Sequence, residues 1–284
     1  MKKRAAGRID LPLMGQGTCF LGENPDRRME EEKALRYGLE RGLTLIDTAE
    51  MYGDGQSEEF IGRALRGIDR DSYMLCSKVY PYNAGREHIF KSCEASLKRL
   101  GTDYLDLYLL HWRGEIPLAE TVECMQELKN SGRILNWGVS NFDTEDMEEL
   151  FSIDGGEECA ADQVMYHIGS RGIEYDLLPY LREHQVEGIA YCPMAQAGRL
   201  YRMRDIRNDH ELMAVADKYG ITLMQLLLAF VLRRKDIIPI PKASTEEHMK
   251  ENADALQIRI SEKDWSYIDS LYTPPTDKLF LDME

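Results

Sequence analysis

Short apolar runs rich in Leu, Ile, Val and Tyr alternate with longer amphipathic segments along nearly the whole chain, and this alternation restricts the fold more than any other feature. Strands are expected at residues 13–17, 43–47, 73–78, 105–110, 134–140, 162–166, 188–191 and 237–240. Helices are expected between them at 26–41, 57–65, 86–100, 118–131, 144–152, 177–183 and 210–219, with extra outer helices at 222–233 and 261–270. Gly42, Gly101, Gly132 and Gly220 follow helices, where a left-handed residue satisfies the leftover carbonyls. The run Leu105-Asp106-Leu107-Tyr108-Leu109-Leu110 is almost continuously apolar, as expected of a parallel strand covered on both faces.

A repeated β-α unit closes into a barrel or opens into a doubly wound sheet. The open sheet usually carries G-x-G-x-x-G after its first strand. Here Gly15-Gln16-Gly17-Thr18-Cys19-Phe20 stands in that place and fails at the third glycine. The expectation is therefore an α/β fold, a (β/α)8 TIM barrel formed by residues 1–284 as a single domain. Residues 9–13 are expected to extend a short N-terminal hairpin that closes the bottom, and the extra helices follow at the C-terminal end.

In such barrels catalytic groups sit at the C-terminal strand ends. Those ends supply Asp47, Lys78 and His111 on three successive strands, then Ser140 and Asn141, Gln163, and Tyr191. Singly, each has a plainer reading: a helix cap, a snorkelling lysine, a satisfied core histidine. Together, an acid, a lysine and a histidine pointing at one small volume need one another as partners. Tyr52, in the loop after Asp47, adds a proton donor. A free phenol titrates near pH 10, and a neighbouring ammonium such as Lys78 lowers that value. Asp47 would hold Lys78 protonated, and His111 would fix a substrate oxygen.

The segment Leu45-Ile46-Asp47-Thr48-Ala49-Glu50-Met51-Tyr52-Gly53 resembles a signature of the aldo-keto reductases. Ser77-Lys78-Val79, Leu109-Leu110-His111-Trp112, Trp137-Gly138-Val139-Ser140-Asn141-Phe142, Asp162-Gln163-Val164 and Ile240-Pro241-Lys242 follow in that family's order. Asn83-Ala84-Gly85, the stretch Gly169-Ser170-Arg171-Gly172-Ile173-Glu174-Tyr175-Asp176 and Ala195-Gln196-Ala197-Gly198-Arg199-Leu200 resemble a short bacterial subgroup reducing methylglyoxal and other small aldehydes. The resemblance implies NAD(P)H-dependent reduction of aldehydes and ketones to alcohols, with Tyr52 as proton donor. It also implies a monomer more than an oligomer.

The resemblance places the nicotinamide amide on Ser140, Asn141 and Gln163, with its ring on Tyr191. The remaining expected cofactor residues are Gly17, Thr18, Asp47, Met194, Gln196, Arg199, Lys242, Ser244, Thr245, His248, Glu251 and Asn252. NADPH is the expected cofactor, with NADH as the alternative. Lys242, the Ser244 and Thr245 hydroxyls and the following helix N-terminus would take the 2′-phosphate. Four arginines at 199–207 either answer the pyrophosphate or pair, solvated, with the acidic body. Ala243 stands where many relatives have serine and His248 where they have arginine, and both weaken the phosphate grip. An imidazole lacks the bidentate fork and loses charge as pH rises through neutrality, so the NADPH preference should be modest and weaken with pH. Asp162 replaces a common asparagine and is expected to alter the amide's orientation. Cys19 replaces a common tryptophan and widens one wall.

Phe20, Tyr80, Tyr82 and Trp112 follow barrel strands and are expected to line an open, apolar substrate mouth for small carbonyl compounds. The net charge of −15 disfavours nucleic acid and anionic membranes as partners. No run reaches membrane-spanning length, which leads to the expectation of a cytoplasmic protein. The six cysteines occur singly and no His pair has ligand spacing, so no metal is expected. The competing reading is a cofactor-binding regulatory or partner-binding module with little turnover.

Overall fold

The computed structural model describes residues 9–198 and 205–284. Eight parallel strands pair in chain order. They are β1 (Gln16–Gly17), β2 (Leu45–Asp47), β3 (Met74–Val79), β4 (Leu107–Leu110), β5 (Trp137–Ser140), β6 (Ala161–Met165), β7 (Glu187–Tyr191) and β8 (Ile237–Pro239). The helices between them are α1 (Arg28–Glu40), α2 (Gln56–Ala64), α3 (Ile89–Leu100), α4 (Leu118–Asn130), α5 (Thr144–Ser152) and α6 (Leu177–Glu183). After β7 come α7 (Ala195–Gly198), α8 (His210–Lys218) and α9 (Leu223–Leu232), and after β8 come α10 (Glu246–Ala255) and α11 (Glu262–Leu271).

The sheet closes on itself. Gly15 N–H donates to Pro239 O at 3.0 Å and Gly17 N–H to Pro241 O at 3.1 Å, and Gly17 bridges Lys242. A Cβ on Gly17 would lie 2.7 Å from the Ile240 carbonyl oxygen, so the seam accepts only glycine there. Inside the barrel Leu45, Cys76, Leu107, Leu109, Ala161, Ile189 and Ile238 form one apolar cluster. The larger cluster lies between strands and helices.

The (β/α)8 barrel and extra C-terminal helices are as expected, and Gly42, Gly101, Gly132 and Gly220 all adopt positive φ. Residues 9–13 are irregular chain, and the first strand covers only Gln16–Gly17 of the expected 13–17; residues 1–8, where the rest of the expected hairpin falls, lie outside the described residues. Pro12 has no N–H to donate to a ladder. Ile9 and Leu11 instead bury themselves in the interior cluster and stopper the barrel bottom as irregular chain. Among the described residues no single helix is long and apolar enough to span a membrane.

Candidate active site

Strand register brings the polar strand ends together. The Lys78 ammonium donates to Asp47 Oδ1 at 2.6 Å, to Thr48 O at 2.8 Å and to the Tyr52 hydroxyl at 3.3 Å. The other Asp47 oxygen accepts from Gln163 Nε2 at 2.7 Å. Lys78 is wholly buried, so a bare ammonium there would be costly, and Asp47 and two neutral oxygens offset that cost. Burial, the largest effect, pulls the Lys78 pKa down, but Asp47 first and then Tyr52 and Cys76 carry it above its ordinary value. Lys78 is a permanent cation.

Tyr52 opens a short 3-10 turn whose Gly53 and Asp54 have left-handed φ, and this turns the phenol inward from the loop. Its ring stands edge-on to His111 with centroids 5.8 Å apart. Burial raises the Tyr52 pKa and Lys78 opposes that rise, but the net direction is upward. This departs from the expected net lowering: enclosing the hydroxyl outweighs the ammonium, so Lys78 limits the rise and the phenol keeps its proton at neutral pH. Burial, then Lys78, pushes His111 down to about 2. His111 is therefore a neutral imidazole with one donor and one acceptor nitrogen, and its buried Nδ1 has no hydrogen-bond partner.

Beside this group lies an amide cluster. Asn141, at φ 60°, donates from Nδ2 to His111 O at 3.1 Å and accepts at Oδ1 from the Tyr191 hydroxyl at 2.8 Å. Ser140 Oγ donates to Gln163 O at 2.7 Å. These contacts fix Ser140, Asn141, Gln163 and Tyr191 relative to one another, with Tyr191 half-buried at the rim. Phe20, Asp54, Asn141, Cys192, Ala195 and Gln196, in the segments that follow the C-terminal strand ends, are non-glycine residues with positive φ. Strained backbone thus gathers where the polar groups do.

The aromatic residues form a ladder leading outward. His111 and Trp112 lie 5.0 Å apart, Trp112 and Tyr80 5.0 Å, and Tyr80 stacks on Tyr82 at 5.3 Å. Tyr82 and Phe20 are 69% and 66% exposed, so they form an open rim and do not close a pocket. Glu50, which the sequence did not single out, accepts from Tyr80 N–H at 2.7 Å and Asn83 Nδ2 at 3.1 Å and ties this loop down.

The other end of the barrel mouth, at Lys242 and the start of α10, is built differently. Lys242 is exposed just past β8, and Ser244 and Thr245 precede α10. The Thr245 hydroxyl accepts the His248 N–H at 3.2 Å as the α10 cap, which uses an oxygen lone pair and leaves its O–H to donate. His248 is exposed, and Glu246 and Glu247 fill the first turn. A cleft of about 510 Å³ beside them is lined by Asp26, Met29, Glu30, Lys33, Thr245, Glu246 and Glu247. Asn252 is buried with an unpartnered Nδ2, and Glu251 is half-buried beside it. Met194 packs on the core, and the Thr18 hydroxyl donates to Asp47 O at 2.8 Å, a strut within the wall. Gln196 Nε2 donates to the Glu284 carboxylate, which also accepts from the Cys192 thiol at 3.4 Å. Arg199 lies outside the described residues.

These residues fit an extended nicotinamide dinucleotide: amide donors and acceptors with an aromatic face at one end, Gly17 thinning the seam, and Lys242 with an orphaned Asn252 amide at the other. Asp162 lies on the other face of β6. It neighbours Gln163 on β6, but successive strand residues face opposite ways. With Gln163 turned inward to Asp47, Asp162 faces the helices and cannot contact the amide directly.

A parallel barrel with this buried lysine, aspartate, tyrosine and histidine at its C-terminal rim has the architecture of a carbonyl-reducing oxidoreductase. Residues 13–273 match the model of the aldo/keto reductase family, and the chain belongs to that family. It is an NAD(P)H-dependent oxidoreductase that reduces carbonyl compounds to alcohols. The chain is 48% identical over 278 residues to the methylglyoxal reductase YeaE of Escherichia coli, covering 98% of this chain and 97% of that protein. It is 31% identical to a glyoxal reductase of Bacillus subtilis, covering 93% of this chain and 90% of that one. It is also similar to the crystal structure of an aldo-keto reductase from Klebsiella pneumoniae in complex with NADPH, with 50% identity, full coverage of both chains and a TM-score of 0.96.

Proposed function

We propose that this chain acts as one barrel domain that reduces small aldehydes and α-dicarbonyls, methylglyoxal foremost, with NADPH as preferred cofactor and Tyr52 as proton donor. The observation that carries the reading is the Lys78 ammonium, 2.6 Å from Asp47 and 3.3 Å from the Tyr52 hydroxyl, beside a neutral His111. A bound cofactor supplies hydride to the carbonyl carbon. His111 donates a hydrogen bond that places the carbonyl oxygen, and Tyr52 hands its proton to that oxygen as negative charge develops there. Lys78 holds the phenolate so formed, and Asp47 keeps Lys78 aimed.

Ser140, Asn141 and Gln163 hold the amide and Tyr191 covers one ring face. Lys242 and the start of α10 take the 2′-phosphate, with Ser244, His248, Glu251 and Asn252 around the adenosine. The named activities of the Escherichia coli and Bacillus subtilis relatives support small dicarbonyls as substrates, and the NADPH complex of the Klebsiella relative supports the cofactor. Phe20, Tyr80, Tyr82 and Trp112 form the open substrate rim. The net charge of −15 and the family likeness favour a cytoplasmic monomer with no nucleic-acid or membrane partner, which size-exclusion chromatography and cell fractionation would check. Methylglyoxal-dependent oxidation of NADPH, followed in the native protein, in Tyr52→Phe and after chelation, tests the whole reading. Loss in Tyr52→Phe alone supports it, and an inactive native protein across short aldehydes and dicarbonyls with either cofactor refutes it.

A further inference from the structure

Glu50 stands between the proton donor and the aromatic wall. It lies two residues before Tyr52, and its N–H donates to Lys78 O at 3.3 Å, so its backbone continues the β2–β3 ladder past Asp47. From there one carboxylate oxygen, Oε1, accepts from two donors of the neighbouring loop, Tyr80 N–H at 2.7 Å and Asn83 Nδ2 at 3.1 Å. Those donors mark the two ends of one 3-10 turn, Pro81–Asn83 with Tyr80 before it, which also closes through Asn83 N–H to Tyr80 O at 2.8 Å. Pro81 opens the turn and has no N–H, so Tyr80 supplies the last backbone donor before it.

This oxygen completes a circuit around the reacting groups. Tyr80 meets Trp112 edge-on at 5.0 Å, Trp112 meets His111 at 5.0 Å, and His111 meets Tyr52 at 5.8 Å. Glu50 then returns the contacts to the loop that carries Tyr52. The ring contacts tolerate a range of angles, whereas the bonds to the carboxylate are charge-assisted and directional. The rear of the turn is packed: Pro81 and Ala84 are buried, and a Cβ on Gly114 would lie 2.7 Å from the Pro81 side chain. Its front is not. Tyr80 and Asn83 are half-buried, and Tyr82, stacked on Tyr80, is 69% exposed. The Glu50 carboxylate therefore holds the front edge in place. Without it, water takes the Tyr80 N–H and the Asn83 amide, and the stacked rings pivot about Pro81.

We propose that Glu50 is a positioning residue for the substrate: it sets how far Tyr80 and Tyr82 stand from Tyr52, and so makes the mouth favour small dicarbonyls over aldehydes that carry a bulky ring. The proposal rests on the reading of Tyr80, Tyr82 and Trp112 as the substrate rim. Tyr52 keeps its own bonds when the Glu50 side chain is removed, through Lys78 at 3.3 Å and through Tyr52 N–H to Ala49 O at 3.1 Å. Selectivity should change while proton donation does not.

The test compares methylglyoxal with benzaldehyde, each with NADPH, in wild type, Glu50→Gln, Glu50→Ala, Asn83→Ala, the Glu50→Ala/Asn83→Ala double variant and Trp112→Ala. In Glu50→Ala the KM for methylglyoxal should rise by about tenfold, as expected for loss of a charge-assisted hydrogen bond. Its kcat and NADPH affinity should stay near wild type, and kcat/KM for benzaldehyde should hold or rise, so the preference for the smaller aldehyde falls by at least that factor. Glu50→Gln keeps an Oε1 acceptor and should restore most of the preference. Asn83→Ala should shift it the same way by less, and the double variant should match Glu50→Ala because both donors share one oxygen. A fall in kcat with the preference unchanged, no rescue by Glu50→Gln, or additive effects in the double variant overturns the proposal. If Trp112→Ala alters the preference and Glu50→Ala does not, the rim reading stands and the proposal fails; if neither alters it, the rim reading fails as well.

Discussion

The two ends of the cofactor trough are built on opposite terms. At the catalytic end Lys78 and Asp47 are buried and bonded to each other across neighbouring strands, with Gln163 on the second Asp47 oxygen, so removing one member strands the other. At the α10 end Lys242 and His248 are exposed, the Thr245 hydroxyl serves its own helix and two glutamates share the first turn. Loss of either member of the buried Lys78–Asp47 pair should therefore cost stability and chemistry together. Changes at the second end should move cofactor choice and little else.

The sharpest way to break that contrast is Tyr52→Phe, which keeps the ring and removes the donor. kcat should fall by about 10²–10⁴-fold while NADPH affinity and melting temperature change little, as stopped-flow and calorimetry would read. Lys78→Met should abolish turnover and cost about 3–5 kcal/mol of stability by leaving Asp47 buried without its cation, measured by urea unfolding. An unchanged unfolding midpoint would mean that the pair is not the buried unit described.

The next effect is set by pH. An unfolded aspartate ionises near pH 3.9, whereas folded Asp162 keeps its proton well above that. Below the unfolded value both states are neutral and the group costs nothing. As pH rises towards the folded value, the native state loses up to about 1.4 kcal/mol per pH unit relative to the unfolded chain. Asp162→Asn should therefore melt near the wild type at pH 4 and above it at pH 8, and equal melting at both would contradict the burial argument. The smallest effect belongs to the other end: His248→Arg should tighten NADPH by about 1 kcal/mol, leave NADH unchanged and shift stability by under about 0.5 kcal/mol. A comparable gain for both cofactors would show that His248 does not face the 2′-phosphate.

Much of this was legible because the barrel repeats. Apolar runs located every strand to within a few residues, and reading the strand ends drew Asp47, Lys78, His111, Ser140 and Gln163 to one place. The outward face of Asp162 was legible: its neighbour Gln163 points into the mouth, and strand parity turns Asp162 the other way. Other features depend on contacts between distant segments that no local pattern encodes. The Thr48 carbonyl that accepts from Lys78, the Thr245 hydroxyl drawn into its cap and the Glu284 carboxylate at Gln196 are of that kind. The net rise at Tyr52 also depends on how deeply the fold encloses a hydroxyl, which sequence spacing does not measure.

The closing seam bears on how the chain is assembled. Gly15 and Gly17 pair with Pro239 and Pro241, partners from opposite ends of the polypeptide, through a first strand of two residues. Contacts so distant in sequence carry a large loop-closure cost for few hydrogen bonds, so this seam should form late in folding and open first in unfolding. Gly17 and Lys242 face each other across it. A dinucleotide held by both would fasten the weakest joint of the barrel, making cofactor occupancy a brake on the unfolding rate as well as a source of reducing power.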